Sequence, residues 1–461
     1  MLRKIFRRAV SILFIVPIIL FSTVTYAEIY TGEGTYVMSE GENLGVSKER
    51  AKADAMRNAS EKAGVYVKNY TRTKNLTLEE DIIETMTSNI LKLVEAPNFL
   101  PYEPVDNLEG ILIRVIVKVE IDDSDINRWL NKNEQEKSTL VSQMDALRRA
   151  NEEQERQIAE LKRQLADNPQ NKEEITKKFA DEDKIFLSNQ KVEEAGRLYD
   201  KGDHNGALSL LEEALRLNPD NSLAYYGRGT AYDGLKQYEQ AIQDFNKAIQ
   251  INPNHADAYN NRGIAYMDGS KQYSVAISDF DRAIQLNPNF AKAYYNRGTA
   301  YYRQNQYERA ITDFNKSIEL NPNDPDTYNN RGNVYMEGLK QYGMAISDYD
   351  KAIQLNTNFD KAYYNRGTAY YRQNQYERAI TDYDKAIQLN PNYANAYYNR
   401  GNAYCMLKNF NQAVENYTKF IQFNPNYAEV YYWRSVCYKA LGEIAKLQAD
   451  FTKARELGYN G

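Results

Sequence analysis

Seven arginines recur at near-constant intervals in the second half of this 461-residue chain: Arg228, Arg262, Arg297, Arg331, Arg366, Arg400 and Arg434, 34 or 35 positions apart. A row of guanidinium groups can bind anions, or it can tie helices together through bidentate pairs with carboxylates. The spacing favours the tie. Asp244, Asp279, Asp313, Asp348, Asp382 and Asp450 each follow an arginine by 16 or 17 positions, and Asn416 follows Arg400. Where the series would begin, Glu194 and Leu210 replace both members together.

Little else in the chain offers reaction chemistry. It holds two His and two Cys, and it shows no phosphate-binding Gly loop, metal-spaced His/Glu motif or Ser-centred elbow. His204 falls between helices and His255 in a boundary turn. The acids of "NPNDPD" are too closely set for a calcium loop. No catalytic residue, metal or cofactor is expected, and the chain reads as a non-enzyme. Cys405 and Cys437 read as small packing residues, with a disulfide as the alternative if they lie close. A net charge of −5 and a pI near 5.5 argue against nucleic acid as a partner.

The arginines belong to a larger period. "KAYYNRGTAYYRQNQYERAITD" occurs twice, at Lys292–Asp313 and Lys361–Asp382. Gly229, Gly263, Gly298, Gly332, Gly367 and Gly401 follow the arginines, and Ala241, Ala276, Ala310, Ala345, Ala379 and Ala413 come midway through each unit. Asn-Pro turns close the units, with Thr357 the one departure from Pro. This pattern resembles the tetratricopeptide repeat. The resemblance implies a mostly α fold: eight two-helix units over 189–461, stacked because no unit can bury its apolar face alone. The 69-residue offset of the duplicate is then two units, one carrying an extra residue in "MDGSKQY" or "MEGLKQY", expected in the loop between helices. Tyr232, Tyr266, Tyr301, Tyr335 and Tyr370 fall at a helix-packing position and are expected in the core.

The same resemblance implies a concave groove lined by each unit's first helix. One unit would supply Lys292, Tyr295, Thr299, Tyr302 and Arg303, and its copy Lys361, Tyr364, Thr368, Tyr371 and Arg372. Asn329, Asn333, Tyr398 and Asn402 would complete a peptide-binding surface. Amides can donate and accept along an extended main chain, and tyrosines give contact area with a polar tip. Tyr295 and Tyr364 stand where the family's acidic-tail clamp needs Lys, so that specificity is not expected.

Ahead of the repeats, residues 1–27 read as a signal peptide: a basic start, the apolar run Ala9–Val24, and small residues before a cut at Ala27. No integral membrane span is expected after its removal, which takes the net charge to −9. Residues 28–124 read as a small α/β domain. "GILIRVIVKVEI" alternates as a half-buried strand, "YTGEGTYV" opens the domain, an Ala-rich helix ends at Gly64, and a capping box at Thr77 starts another. "GEGTYV" with "EKAGVYV" resembles the N-terminal domain of the flagellar-assembly T protein and small bacterial envelope lipoproteins. No Cys follows the apolar run to carry a lipid anchor.

Residues 125–167 keep a heptad seam, including Leu147, Asn151, Gln154, Ile158 and Leu161, which points to a coiled coil and a homo-oligomer. The alternative is a helix lying along its own chain. Residues 168–188 form a helical connector. The expected protein is an exported, periplasmic or envelope-associated scaffold that binds a protein or peptide partner. A polysaccharide-binding accessory and a spacer with an unused groove remain the alternatives.

Overall fold

The computed structural model describes residues 27–39, 42–73, 83, 86–87, 90–104, 110–122, 126–127, 130, 134–167 and 171–459. The signal-like residues up to 26 and the Thr77 capping box lie outside them. No described helix is long and apolar enough to cross a membrane. The chain divides into two compact units, with residues 134–167 and 177–461 in the second.

In the first unit, β5 (Gly110–Asp122) pairs antiparallel with β1 (Ala27–Ser39) along its whole length. The short strands β2 (Lys92–Leu93), β3 (Asn98–Phe99) and β4 (Glu103–Pro104) also pair antiparallel with β5. The alternation of β5 is realised: Ile113, Val115, Val117, Val119 and Ile121 are buried. They pack on Ala51, Ala55, Ala59 and Ala63 of α1 (Leu44–Thr73). The glycines of "GEGTYV" permit that approach, since a β-carbon on Gly32 or Gly34 would overlap the carbonyl oxygens of Ala55 or Ala51. The helix does not stop at Gly64 as expected. A β-carbon there would meet Ile83 and Thr87 only at an ordinary contact distance of 3.9 Å, and α1 runs on to Thr73, burying Val67.

The second unit begins with α2 (Glu134–Asp167) and α3 (Lys172–Asp200). The heptad seam of α2 is occupied within the chain. Leu147, Gln154, Ile158 and Leu161 are buried. Gln154 Nε2 donates to the Glu182 carbonyl at 2.6 Å, and Asn189 Nδ2 donates to Asn151 Oδ1 at 3.2 Å. The polar residue that would fix the register of an intermolecular coiled coil here fixes the register of α2 on α3.

Helix pairs follow: α4 (His204–Leu217) on α3, then α5 (Ser222–Gly234) with α6 (Tyr238–Ile251), α7 (Ala256–Ser270) with α8 (Tyr273–Leu286), and α9 (Ala291–Arg303) with α10 (Tyr307–Leu320). Next come α11 (Pro325–Asn333) with α12 (Tyr342–Leu355), α13 (Asp360–Arg372) with α14 (Tyr376–Leu389), α15 (Ala394–Met406) with α16 (Phe410–Phe423), and α17 (Ala428–Ala440) with α18 (Ile444–Glu456). Each glycine after the arginine lies under a ring of its partner helix. A β-carbon on Gly263 would sit 2.7 Å from Phe280, and one on Gly332 2.7 Å from Tyr349. The rings over these glycines are therefore those of the second helices. Of the five first-helix tyrosines expected in the core, Tyr301 is buried, while Tyr232, Tyr266, Tyr335 and Tyr370 are half-buried beside it. The unit boundary does not depend on proline. Asn356 Oδ1 accepts from Asn358 N at 3.0 Å before Thr357, as Asn287 accepts from Asn289 at 3.1 Å before Pro288.

The extra residue of the 35-residue units is not in the loop. It widens the last turn of the first helix into π geometry, with Leu339 N bonding Val334 O at 3.1 Å after the π turn Val334–Gly338. In α7, Lys271 N reaches back to Tyr266 O. The widened turn presses on the preceding unit. A β-carbon on Gly269 or Gly338 would lie 2.6 Å from Tyr238 or Tyr307, which accounts for the glycine in "MDGS" and "MEGL".

The arginine ties form as the spacing predicts. Arg297 donates from Nε and Nη2 to Asp313 at 2.8 and 2.7 Å, and the same fork recurs at Arg228, Arg262, Arg331, Arg366 and Arg434. A further bond was not foreseen. Nη1 reaches the second helix of the preceding unit: Arg262 to Asn246, Arg297 to Asp281, Arg331 to Asn315, Arg366 to Asp350, Arg400 to Asp384 and Arg434 to Thr418. One guanidinium thus joins three helices. Removing one partner of a buried pair strands the other. Asp313→Ala should lower the unfolding free energy by about 2–3 kcal/mol, whereas Asp313→Asn should cost about 1 kcal/mol because Asn416 already serves Arg400 at 2.7 Å. Urea titration of both variants checks this, and equal losses would contradict it.

Candidate partner-binding groove

The groove face expected from the sequence draws on the start of each first helix, the residues beside the arginine and the helix end. Those nearest the arginine are already bonded to one another. Asn261 Nδ2 donates to the Tyr226 hydroxyl at 3.0 Å, Asn296 to Asn260 Oδ1 at 2.9 Å, Asn330 to the Tyr295 hydroxyl at 2.8 Å, Asn365 to Asn329 Oδ1 at 2.9 Å, and Asn399 to the Tyr364 hydroxyl at 3.0 Å. Each rung joins one unit to the next, and the ladder runs unbroken over five interfaces. It is legible as the Asn before five of the seven arginines, but only the stacking shows its acceptor.

This ladder decides what the expected groove residues can do. Asn329 is buried and holds Asn365, while Asn333 accepts from the buried Tyr349 hydroxyl at 2.8 Å. Asn402 accepts likewise from Tyr417 at 2.8 Å. Thr299 and Thr368 donate back to the carbonyls of Tyr295 and Tyr364 at 3.0 and 2.9 Å. Tyr295 packs on Phe314, and Tyr364 on Tyr383 and Tyr393; burial raises both hydroxyls, that of Tyr295 well above the usual tyrosine range. Tyr398 is wedged among Tyr417, Phe420 and Tyr427. These eight residues are engaged within the fold.

What remains for a partner lies at the helix ends. Arg303 and Arg372 are exposed beside half-exposed Tyr302 and Tyr371. Tyr302 donates to the Glu337 carboxylate, and Arg303 lies 5.9 Å from the Tyr302 ring. Along this edge the signs alternate: Asp268, Arg303, Glu337, Arg372. The opposite edge repeats the pattern with Asp257, Lys292, Asp326 and Lys361. Burial raises the Asp268 and Asp326 carboxyls, and Arg303 and Lys361 each oppose the rise. Neighbouring units therefore feel one another's charge. The groove has a two-unit electrostatic period, the same period as the duplicated sequence.

At its N-terminal mouth the groove meets α2. Leu147 joins Val192, Tyr199, Leu211, Tyr226 and Thr230 around a small apolar pocket. Nearby, Asp233 is held at about 6 by burial and by Asp268, with Oδ1 unpartnered. Neither histidine has a site around it. His255 caps α7, accepting from Ala258 N at 3.2 Å, and burial lowers its pKa. His204 opens α4 against Tyr199. Among the described residues no acidic, His or Cys cluster could hold a metal ion.

Family models agree with this architecture. One described as TPR repeat matches residues 197–236, 270–305, 298–337, 339–374 and 367–408. Models described as tetratricopeptide repeat match 222–255, 394–427 and 245–273. Among solved structures, the type IV pilus biogenesis factor PilW is 23% identical, covering 45% of this chain and 94% of its own at a TM-score of 0.42. YrrB, described as a TPR protein with an unusual peptide-binding site, is 22% identical over 40% of this chain and 95% of its own, TM-score 0.34. MamA from Desulfovibrio magneticus is 25% identical over 38% and 97%, TM-score 0.34. No curated protein matches the sequence.

The raised Asp233 carboxyl gives a pH signature. Its folded-state pKa lies above the ordinary aspartate value of 3.8, so its contribution is fully present below that value and is lost as pH rises through about 6. Asp233→Asn should therefore stabilise the chain at pH 7 by about 1–2 kcal/mol and not at pH 3.5. Urea midpoints across this range check it, and a constant offset at every pH would contradict it.

Proposed function

Because the chain carries tetratricopeptide repeats between residues 197 and 427, we propose that it is a non-enzymatic interaction scaffold which receives a protein or peptide partner along its concave groove. The contact centres on Tyr302 with Arg303 and on Tyr371 with Arg372. The observation that carries this reading is the contrast within the groove. The amides and inner tyrosines are committed to the fold, while these two copies keep an exposed guanidinium beside a half-exposed ring. Arginine and tyrosine together supply cation, ring face and hydrogen bond, the combination that dominates binding energy at protein interfaces. Alternating charges on both edges favour a partner segment that itself alternates in sign.

The first 27 residues support export, to the periplasm or cell envelope. In the first unit, "GEGTYV" with its close-packed Ala helix supports an envelope-type domain. Self-association through residues 125–167 has less support, because the seam lies against α3.

The test is capture of envelope proteins on the immobilised full chain, beside a variant with Tyr302, Arg303, Tyr371 and Arg372 all replaced by Ala. Circular dichroism should match between the two. A partner held by the parent at 50 mM salt should be weakened at least about 100-fold in the variant and weakened by added salt in the parent. A partner captured equally by both would place binding elsewhere.

A further inference from the structure

The two cysteines of the chain meet at the last repeat interface. Cys405 lies at the end of α15, at the groove position that Tyr302 and Tyr371 occupy in earlier units, and it is half-buried. Cys437 lies on α17, where Ala300, Val334, Ala369 and Ala403 stand in earlier units, and it is buried. In those units the outer residue packs over the inner one of the next unit, as Tyr302 does with Val334 and Met336 with Ala369. Only at this interface are both members Cys. The Cys437 S–H donates to Cys405 Sγ at 3.8 Å.

We propose that Cys405 and Cys437 form a reversible disulfide that staples the repeat of α17 and α18 to the one before it, the oxidant being a low-molecular-weight disulfide. The Cys405 thiolate attacks one sulfur of the small disulfide, giving a mixed disulfide and releasing one thiolate. Cys437, its proton lost to solvent or to the released thiolate, then attacks Cys405 Sγ and displaces the second small thiol. Two protein thiols are oxidised and one small disulfide is reduced to two thiols.

The geometry assigns the order of attack. Cys405 is open to the groove, while Cys437 can be reached only by its neighbour. The hydrogen bond from Cys437 lowers the Cys405 thiol to about 7, so it is substantially thiolate near neutrality, and it raises Cys437. Closing from 3.8 Å to a bond of about 2.05 Å needs less than 2 Å of sulfur travel, within reach of side-chain torsions on facing helices.

The position also gives the staple a purpose. α18 leaves Ile444 and Phe451 exposed, and a segment with few buried apolar contacts opens before the rest. A bond from α15 to α17 closes a loop across α16 and restricts that opening, keeping the last unit in register with the groove.

The full chain is incubated with oxidised glutathione and analysed by intact mass, by peptide mapping and by amide exchange. The parent should lose two hydrogens, retain no glutathione and yield one crosslinked peptide pair. Exchange in α17 and α18 should slow by about tenfold or more and recover with dithiothreitol. Cys437→Ser should instead keep glutathione on Cys405, and Cys405→Ser should stay unmodified while folded. A parent chain that keeps both thiols, or holds a stable glutathione on Cys405, would overturn the proposal. The crosslink reading in the parent stands whether or not either variant folds.

Discussion

One guanidinium in each repeat after the first sets the spacing of the solenoid. In six of the seven, Nε and Nη2 grip the aspartate of the same unit's second helix, and from Arg262 onward Nη1 grips the second helix before it. A rigid planar fork satisfies both only when the three helices meet at one angle and one rise. The Asp carboxylates are nearly buried, at 5–10% exposure, and the Arg side chains keep 14–22%. Such a pair contributes little beyond a hydrophobic replacement, yet it resists being broken or shifted. It acts on geometry more than on net stability. The rows of Ala and Gly do the complementary work by letting the helices approach.

Two-unit duplication is laid over this one-unit frame. The two duplicated 34-residue units end their first helix normally and present Tyr-Arg pairs, while the 35-residue units end it in a wide turn and present Met with Asp or Glu. The wide turn needs glycine against Tyr238 or Tyr307, so shape and charge alternate together. The groove consequently offers the same surface twice, about two repeats apart. A partner long enough to span both copies gains the second contact without paying again for association.

The repeat period and the arginine ties were legible because each rests on residues at fixed spacing. The groove was legible as a face, not as a function. Asn329 and Tyr295 show why: their bonds run to residues 35 or 36 positions away, and no single unit reveals which neighbour each will meet. Four of the five first-helix tyrosines misled for a related reason. The glycine beside the arginine makes room for a ring, but the ring comes from the second helix. The heptad seam of α2 is a genuine apolar stripe, and a stripe states that it will be covered without stating by which chain. Cys405 and Cys437 were 32 positions apart in sequence, and only stacking brought them to 3.8 Å.

The account stands on the groove edge, rather than its floor, receiving the partner. Hydroxyl-radical footprinting of the full chain with and without its captured partner tests that most directly. Protection of Tyr302 and Tyr371 together, with Tyr273 and Tyr342 on the second helices unchanged, is the predicted result. Protection confined to the second helices, or of neither duplicated tyrosine, would contradict it.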